Sequence, residues 1–373
     1  MKYYIIAGEA SGDLHGANLI QALSEQDADA DFHVWGGDKM EAAGAKLKKH
    51  YRELAFMGFL EVVKNLKTIL RNFDHCKKDI QTFQPDVLIL IDYPGFNLRM
   101  AKWAKKEGLK VFYYISPQIW AWHSSRVHQI KKTIDRMFVI LPFEKEFYAK
   151  YDLKVDFVGH PLLDSIENLQ TDPNFKKTHQ LKEKDIIALL PGSRRQEISK
   201  TLDRMLRIID QFPDYQFVIA GAPSIPLAYY HGLIQKAALS HLNISVIEGQ
   251  TYQLLHQAKA ALVTSGTATL ETALLHVPQV VCYTGNQISY WIARQLINVK
   301  YISLVNLILD RPLLRELIQK DFNAQLLKNS LSEILEEGKA KQIKEGYLEL
   351  NAHLGHKGAS KRTAELMWGY LNE

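Results

Sequence analysis

Short apolar runs rich in β-branched and aromatic residues recur along the chain, and segments with helical periodicity separate most of them. Such runs are typical of buried parallel strands, which are covered by helices on both faces of their sheet. The pattern predicts strands at 3–7, 32–35, 86–91, 110–115, 137–141, 155–158, 185–190, 215–220, 244–247, 260–264 and 279–283.

A polar stretch without sustained periodicity, SIENLQTDPNFKKTHQLKEKD, lies between the sixth and seventh predicted strands. Its position predicts a linker between two doubly wound α/β domains, at about 1–165 and 180–345. We expect a C-terminal helix, at about 345–373, to pack back on the first domain. Ligands of such sheets bind beyond the carboxyl ends of the strands, so two facing domains would hold them in an interdomain cleft.

The 373 residues include 47% hydrophobic and 23% charged residues, which is typical of a soluble globular chain with more than one core. No apolar run approaches the roughly 18–20 residues of a membrane span, and the N-terminal run is too short for a secretory signal. Cys76 and Cys282 lie far apart in the sequence, which is not the spacing of a zinc or redox pair. We therefore expect reduced thiols and a cytosolic protein.

Positive charge is concentrated in one part of the chain. The net charge is +5, whereas residues 38–136 alone carry 19 Lys and Arg against 10 Asp and Glu. A nucleic acid, an anionic membrane surface and a merely solvated basic face would each explain this excess.

Within this basic region, the stretch LAFMGFLEVVKNLKTILRNF combines a broad apolar helical face with interleaved basic residues. This combination favours a helix that lies in a membrane surface, although a core helix of the doubly wound fold is the alternative. The apolar residues expected to contact the membrane or acyl chains are Phe56, Phe59, Leu60, Val63 and Leu66.

Two strand–turn–helix segments in the second half, LLPGSRRQEI and LVTSGTATLE, have the composition of anion-binding turns. Free N–H groups at a helix N-terminus suit a phosphate, and an arginine adds a fork of donors. Glu271, about one turn into the second helix, is placed to accept hydrogen bonds from ribose hydroxyls. The pattern predicts a nucleoside diphosphate site, although ordinary loops and an acid favoured by the helix dipole would have the same composition. The turn residues are Gly192, Ser193, Arg194, Ser265, Gly266 and Thr267.

Carboxylates follow two of the predicted strands in the first half. Asp92 ends the run DVLILID, and Glu9 lies in the turn AGEASGD after the first strand. A carboxylate just beyond a buried strand is placed to take a proton from an attacking hydroxyl. A turn carboxylate before proline is the alternative for Asp92, and a turn-stabilising role is the alternative for Glu9. Trp120 and Trp122 would pack on a sugar or an acyl chain, or under their own loop.

Several other enzyme classes are disfavoured by spacing. The first turn carries glycines at positions 8, 12 and 16, which is not the G-x-G-x-x-G of a dinucleotide site. Neither anion turn is followed by a Walker lysine, and the chain has no G-x-S-x-G, which disfavours P-loop hydrolysis and serine esterase chemistry.

Taken together, eight segments between residues 7 and 308 resemble the lipid-A-disaccharide synthase family. They are, in order, AGEASGD, LIDYPGFN, YISPQIWAW, LPFEKEFY, FVGHP, LLPGSR, TSGTATLE and YISLVNLI. The resemblance implies a metal-independent inverting glycosyltransferase with two facing Rossmann-like domains, the GT-B arrangement. It implies glucosaminyl transfer from UDP-2,3-diacylglucosamine to 2,3-diacylglucosamine 1-phosphate, with formation of the β-1,6-linked lipid A disaccharide and release of UDP.

By position, Asp92 matches the proposed base of the family and Glu9 the acid of its first loop. Arg194 and Glu271 match nucleotide-binding residues, and so does Asn306. Some members carry a second acid three residues after the proposed base, where this chain has a glycine. In this segment we therefore expect Asp92 alone to act as the base. The implied partners are the two acylated sugars and an anionic membrane surface, without nucleic acid and without a cofactor. The implied location is the cytoplasmic face of the inner membrane of Gram-negative bacteria.

Other enzymes with two Rossmann-like halves stay open as alternatives. A UDP-sugar 2-epimerase would share the nucleotide side but needs no surface for acyl chains. A metal-dependent glycosyltransferase would need a D-x-D motif, and the chain contains DADAD at 27–31. We interpret these aspartates as a solvated loop, because they follow the first helix on the far side of the sheet from the strand ends. A lipid-binding module without catalysis would not need two phosphate turns.

Overall fold

A computed structural model describes residues 1–54, 66–122, 124–167, 169–237, 244–285 and 300–373. The chain divides into two compact units. The first comprises Met1–Pro161 together with Leu354–Glu373, and the second comprises Leu162–His353. The C-terminal segment that returns to the first unit thus begins at Leu354, later than residue 345.

The strands form two sheets in which all the strands are parallel. The first unit contains β1 (Lys2–Ala7), β2 (Asp31–Gly36), β3 (Lys46–His50), β4 (Val87–Ile91), β5 (Lys110–Tyr114), β6 (Arg136–Val139) and β7 (Asp156–Phe157). The second contains β8 (Asp185–Leu190), β9 (Tyr215–Gly221), β10 (Ser245–Glu248), β11 (Ala258–Thr264), β12 (Gln279–Tyr283) and β13 (Glu316–Ile318).

The helices connect these strands. In chain order they are α1 (Ala10–Gln26), α2 (Asp38–Ala42), α3 (Leu66–Phe83), α4 (Pro94–Lys106), α5 (Ile119–Trp122), α6 (Val127–Thr133), α7 (Pro142–Ala149), α8 (Leu162–Glu167), α9 (Phe175–Thr178), α10 (Arg195–Leu206), α11 (Leu227–Lys236), α12 (Thr251–Gln257), α13 (Thr267–Leu274), α14 (Leu304–Leu309), α15 (Ala324–Leu335), α16 (Glu337–His353) and α17 (Ala359–Asn372).

Both sheets have the strand order of the doubly wound fold. The order is β3-β2-β1-β4-β5-β6-β7 in the first unit and β10-β9-β8-β11-β12-β13 in the second. The order therefore reverses between β1 and β4 in one unit and between β8 and β11 in the other, and such switch points are where doubly wound sheets bind ligands. The predicted fold class, two doubly wound α/β domains, is confirmed.

Alternating side chains of the first sheet enter two separate cores. Tyr4, Ile6 and Leu88 belong to the core on one face, and Tyr3 and Ile5 belong to the core on the other. The second of these cores also contains residues of α1 and, from α17, Ala364 and Met367. Helix α17 thus covers part of the first sheet, which explains why the chain returns to this unit at its end.

The pattern of apolar runs does not predict two strands, β3 and β13, which are respectively polar and short and lie at sheet edges. Strand β3 reads KLKKH, and its lysines suit an edge that does not recruit further strands. Strand β13 has three residues. The eleven predicted strands each correspond to one of the other strands of the structure.

The candidate membrane segment falls largely outside the described residues. Phe56, Phe59, Leu60 and Val63 lie in the undescribed range 55–65, and of Leu66 only the backbone is described, at the start of α3. Further along α3, side chains that include Phe73 belong to the core of the first unit. No helix in the described ranges has both the length and the apolar character needed to cross a membrane.

Candidate active site

The switch point of the first unit brings Glu9 and Asp92 together. Strands β1 and β4 pair in parallel, with Ala7 opposite Ile91. Asp92 follows β4 directly, and Glu9 follows β1 after one glycine. The two carboxylates therefore lie beyond adjacent strand ends, close enough for the charge of Glu9 to act on Asp92.

The environment of Asp92 makes its carboxylate more basic than usual. Burial of the group raises its pKa from 3.8 to about 6, and the negative charge of Glu9 adds to the rise, whereas a hydrogen bond from the backbone N–H of Tyr93 opposes it. Desolvation and a like charge both disfavour the ionised form. A carboxylate with this pKa is ionised at neutral pH and is suited to act as a general base.

The glycines of the first turn allow close packing. A Cβ atom on Gly8 would lie 2.3–2.6 Å from three carbon atoms of the Tyr93 ring, so only a glycine fits under that ring. A Cβ atom on Gly12 would lie 3.0 Å from Cβ of Ala7, and one on Gly16 would lie 2.8–3.1 Å from side-chain atoms of Met40. The space beside Gly8 is therefore filled by the Tyr93 ring.

The two tryptophans of the YISPQIWAW loop lie on the short helix α5. The Trp120 ring is half-buried and meets the Phe143 ring edge-on, with 4.9 Å between the ring centroids. This contact corresponds to packing within the loop region, which was the alternative to contact with a ligand. For Trp122 only the backbone is described.

The switch point of the second unit brings the two candidate anion turns together. Strands β8 and β11 pair with Leu190 opposite Val263, so the turns 192–194 and 265–267 follow adjacent strand ends. The first turn leads into α10 and the second into α13, so each turn lies at a helix N-terminus, where anions commonly bind.

The first anion turn is braced by a residue of its own helix. Gly192 has φ of 114°, a left-handed conformation that favours glycine, and a Cβ atom there would lie 2.2 Å from the carboxylate of Glu197. The backbone N–H of Ser193 donates to that carboxylate at 3.2 Å. The guanidinium of Arg194 is exposed, and no hydrogen bond or ion pair engages it within the part of the chain that the structure describes.

The second anion turn combines an anchored hydroxyl with an exposed one. Ser265 donates its hydroxyl to the carbonyl of Ile302 at 2.8 Å, whereas Thr267 is exposed. Gly266 precedes α13 with φ of 148°. The hydroxyl of Thr264, at the end of β11, is buried without a hydrogen-bond partner in the described ranges.

Glu271 lies in the second turn of α13, with a carboxylate that accepts a hydrogen bond from the hydroxyl of Tyr252 at 2.9 Å. Burial raises the pKa of Glu271, and the Tyr252 hydrogen bond opposes the rise. Because Glu271 lies beyond the first turn of the helix, where the helix dipole has little effect, the dipole alone does not explain an acid at this position. A carboxylate that is oriented by one protein donor keeps acceptor capacity for a ligand.

Asn306 has a structural position. Its side chain is fully buried, and its amide nitrogen donates to the carbonyl of Leu314 and to the carboxylate of Glu316, each at 2.9 Å. Its amide oxygen accepts from the backbone N–H of Leu314 at 2.9 Å. Both amide hydrogens are therefore used within the second unit, which differs from the expected contact with the nucleotide.

The aspartates of the DADAD segment lie at the opposite end of the first sheet. Asp27 accepts hydrogen bonds from the N-terminal ammonium at 2.7 Å and from the hydroxyl of Tyr3 at 3.1 Å. Asp31 begins β2. Among the described residues, no group of three or more His, Cys, Asp or Glu is arranged to hold a metal ion.

Sequence reasoning missed several residues that support the two sites. Tyr113 and Asn97 contact the backbone of Asp92, Tyr252 orients Glu271, and Glu197 braces the first anion turn. A sequence signal exists only for Glu197, because an acid three residues into a helix commonly bonds the N–H groups before it. The others act across distances in the chain that local patterns do not report.

Known proteins resemble this chain along nearly its whole length. The family model described as Lipid-A-disaccharide synthetase matches residues 3–368. The lipid-A-disaccharide synthase of Syntrophus aciditrophicus is 40% identical over 367 residues, covering 96% of this chain and 95% of that protein. The enzyme of the same name from Trichlorobacter lovleyi is 37% identical and covers 100% and 98%.

Solved structures share the fold at low identity. An S. aureus MnaA–UDP co-structure has a TM-score of 0.70 at 16% identity, covering 100% of this chain and 97% of that one. The UDP-GlcNAc 2-epimerase from Neisseria meningitidis bound to UDP-GlcNAc has a TM-score of 0.68 at 14% identity, covering 99% and 100%. These likenesses concern the fold alone, whereas the sequence matches are specific to one enzyme. The chain therefore belongs to the lipid-A-disaccharide synthase family and is a glycosyltransferase.

Proposed function

We propose that the chain joins UDP-2,3-diacylglucosamine to 2,3-diacylglucosamine 1-phosphate, which gives the β-1,6-linked disaccharide 1-phosphate of lipid A and UDP. The proposal takes the reaction to be inverting and to need no metal ion or cofactor. The observation that supports it best is the content of the two switch points, with paired carboxylates in the first unit and two anion turns in the second. A hydroxyl acceptor needs a base, and a nucleotide leaving group needs phosphate donors.

The second unit is proposed to bind UDP. The diphosphate would accept hydrogen bonds from the N–H groups that begin α10 and α13 and from the Arg194 guanidinium, which is exposed and available. As the bond from the anomeric carbon to UDP breaks, negative charge grows on the diphosphate, and donors that are already in place stabilise it. Glu271, oriented by Tyr252, is proposed to accept from the ribose hydroxyls.

The first unit is proposed to bind the acceptor and to supply the base. The 6-hydroxyl oxygen of the acceptor forms a bond to the anomeric carbon, the bond from that carbon to UDP breaks, and the hydroxyl proton passes to the Asp92 carboxylate. Because the pKa of Asp92 is about 6, most of the carboxylate is ionised at pH 7 and is a stronger base than an ordinary aspartate. Glu9 is the alternative base, since it lies at the same switch point.

We also propose that the first unit docks on the anionic cytoplasmic face of the inner membrane through the segment 56–66. Both proposed substrates carry acyl chains, and the segment lies in the locally basic region. Leu70, four residues beyond the segment, is 52% exposed although it is apolar. Changing Phe56, Phe59 and Leu66 to serine is expected to abolish binding to anionic liposomes without lowering Tm. Unfolding of this variant, or unchanged binding, would place the membrane surface elsewhere.

The alternative function, a UDP-sugar 2-epimerase, is supported only by similarity of fold. The matching epimerase structures are 12–14% identical to this chain, whereas the curated synthases named above are 37–40% identical. We therefore carry the synthase reaction alone into the experiments.

Two substitutions separate the proposed roles of the two units. Asp92→Asn keeps the shape of the side chain but removes its basicity, so kcat should fall by roughly 10²–10⁴-fold while UDP affinity stays unchanged. Arg194→Ala should weaken UDP binding and lower kcat/KM together. The matched control is Arg195→Ala, which removes the neighbouring arginine. The Arg195 guanidinium lies 5.1 Å from the Tyr229 ring centroid, so we assign it to that contact and not to the diphosphate.

Kinetics with purified protein and calorimetry with UDP give both readouts. Near-normal turnover by Asp92→Asn would exclude Asp92 as the base and leave Glu9. UDP affinity that is equally unchanged in Arg194→Ala and Arg195→Ala would remove the diphosphate from the first anion turn.

A further inference from the structure

The chain adopts an uncommon backbone conformation where β4 ends. Asp92 and Tyr93 are consecutive residues with φ of 44° and 49°, both in the left-handed region. Aspartate tolerates this region better than most side chains, whereas a tyrosine there is rare. Such a conformation persists only where its surroundings fix it, and it occurs preferentially at functional sites.

Two buried donors fix the peptide that joins these residues. The carbonyl oxygen of Asp92 accepts a hydrogen bond from the side-chain amide of Asn97 at 2.7 Å and another from the hydroxyl of Tyr113 at 2.5 Å. Both donor side chains are fully buried, with 0% of their surface exposed. Asn97 comes from α4 and Tyr113 from β5, so two separate elements hold the same oxygen atom.

Asn97 also joins the two strand ends of the switch point. Its amide nitrogen lies 3.2 Å from the carbonyl oxygen of Ile91 in β4 and 3.4 Å from that of Ile6 in β1. Its amide oxygen is buried and has no hydrogen-bond partner in the described ranges. Burial of an unpaired polar atom is costly, so the hydrogen bonds from the amide nitrogen have to offset that cost.

Tyr93 is held independently of this oxygen. Its ring lies over Gly8, where no Cβ would fit, and it stacks with the Phe96 ring at a centroid distance of 5.7 Å. The backbone N–H of Asp92 donates to the carbonyl of Tyr114 at 3.2 Å. The residue on each side of the Asp92 carbonyl is thus anchored, and the two buried donors set the orientation of the peptide between them.

We infer that Asn97 and Tyr113 are positioning residues that hold Asp92 in its left-handed conformation and so aim its carboxylate at the acceptor hydroxyl. The inference rests on the proposed function, in which Asp92 is the base. Neither side chain touches the substrate in this account. Each acts through the Asp92 carbonyl, and loss of either lets the peptide rotate and the carboxylate move away from the proton that it must accept.

Tyr113→Phe is the mildest test, since it removes one oxygen atom and keeps the buried ring. A misplacement of about 1 Å lowers catalysis by up to about 10²-fold, so we expect kcat to fall about tenfold, with KM for the donor and UDP affinity unchanged. Asn97→Ala, which removes the other donor, is expected to lower kcat at least as much. The matched control is Tyr148→Phe, because Tyr148 is buried in the same core and its hydroxyl does not contact Asp92.

A double-mutant cycle distinguishes positioning from stability. If Tyr113 acts through Asp92, then Tyr113→Phe should have no further effect on kcat in the Asp92→Asn background, because the base that it positions is absent. An equal loss in both backgrounds, or a loss as large in Tyr148→Phe, would overturn the inference. So would full kcat in both Tyr113→Phe and Asn97→Ala.

The same measurements separate this inference from the proposed function. Normal turnover by the single variant Asp92→Asn contradicts Asp92 as the base. A large loss in Asp92→Asn, combined with full kcat in Tyr113→Phe and Asn97→Ala, supports the base and contradicts the positioning pair.

Discussion

The substitution Asp92→Asn should stabilise the fold at neutral pH while it lowers turnover. Folding raises the pKa of Asp92 from 3.8 to about 6, chiefly through burial of the carboxyl group. The folded state therefore holds this proton more tightly than the unfolded state. Below pH 3.8 the group is protonated in both states and does not change the free energy of unfolding. Between pH 3.8 and about 6 it ionises more readily in the unfolded state, so the fold loses stability as pH rises through this range.

The pKa difference sets the magnitude of this effect. A rise from 3.8 to about 6 corresponds to about 3 kcal/mol of unfolding free energy that the ionised carboxylate removes above pH 6. An asparagine cannot ionise and avoids this cost. We expect Asp92→Asn to raise Tm of the first unit by about 6–12 °C at pH 8 and to have little effect at pH 4.

Differential scanning calorimetry at pH 4 and pH 8 measures both values. The matched control is Asp13→Asn, because Asp13 is 3% exposed and accepts backbone hydrogen bonds from Gly37, Lys39 and Met40 at 2.7–3.2 Å. Loss of these charge-assisted bonds should lower Tm at pH 8. A lower Tm for Asp92→Asn at pH 8, or an equal shift at both pH values, would refute the reasoning.

Three further changes follow from the same contacts. Glu9→Gln removes a negative charge beside Asp92, so the acid limb of the kcat–pH profile, which we expect near the Asp92 pKa of about 6, should move to lower pH; a move to higher pH would contradict the coupling. Gly8→Ala adds a methyl group that overlaps the Tyr93 ring, so it should lower the free energy of unfolding by about 1–3 kcal/mol, measured with denaturant. Gly95→Ala is the control and should be nearly neutral, because no other part of the described chain lies within 4 Å of the added methyl group. Glu271→Gln should raise the calorimetric Kd for UDP but leave that for inorganic diphosphate unchanged; equal effects on both would move this residue away from the ribose.

The sequence pattern predicted the fold well because the central strands are buried on both faces. Strand β4 reads VLILI and is buried throughout, so its composition alone identifies it. The same reasoning placed Asp92 and the two anion turns at strand ends. It failed for β3, an edge strand rich in lysine, and for β13, an edge strand of three residues.

The finer parts of the site depend on contacts between residues that are far apart in the chain. The role of Gly8 follows from Tyr93, 85 positions later, and no local pattern reports that contact. Tyr113 looks like one more buried aromatic residue until its hydroxyl is seen to meet the Asp92 carbonyl. Asn306 matched a family motif, yet its amide is engaged within its own unit.

Mass spectrometry of the products formed by the purified protein from the two acylated sugars tests the central claim most directly. We expect a diacylglucosamine disaccharide 1-phosphate and one equivalent of UDP, formed equally with and without EDTA. Release of UDP without a disaccharide, or recovery of an epimerised UDP-sugar, would contradict it.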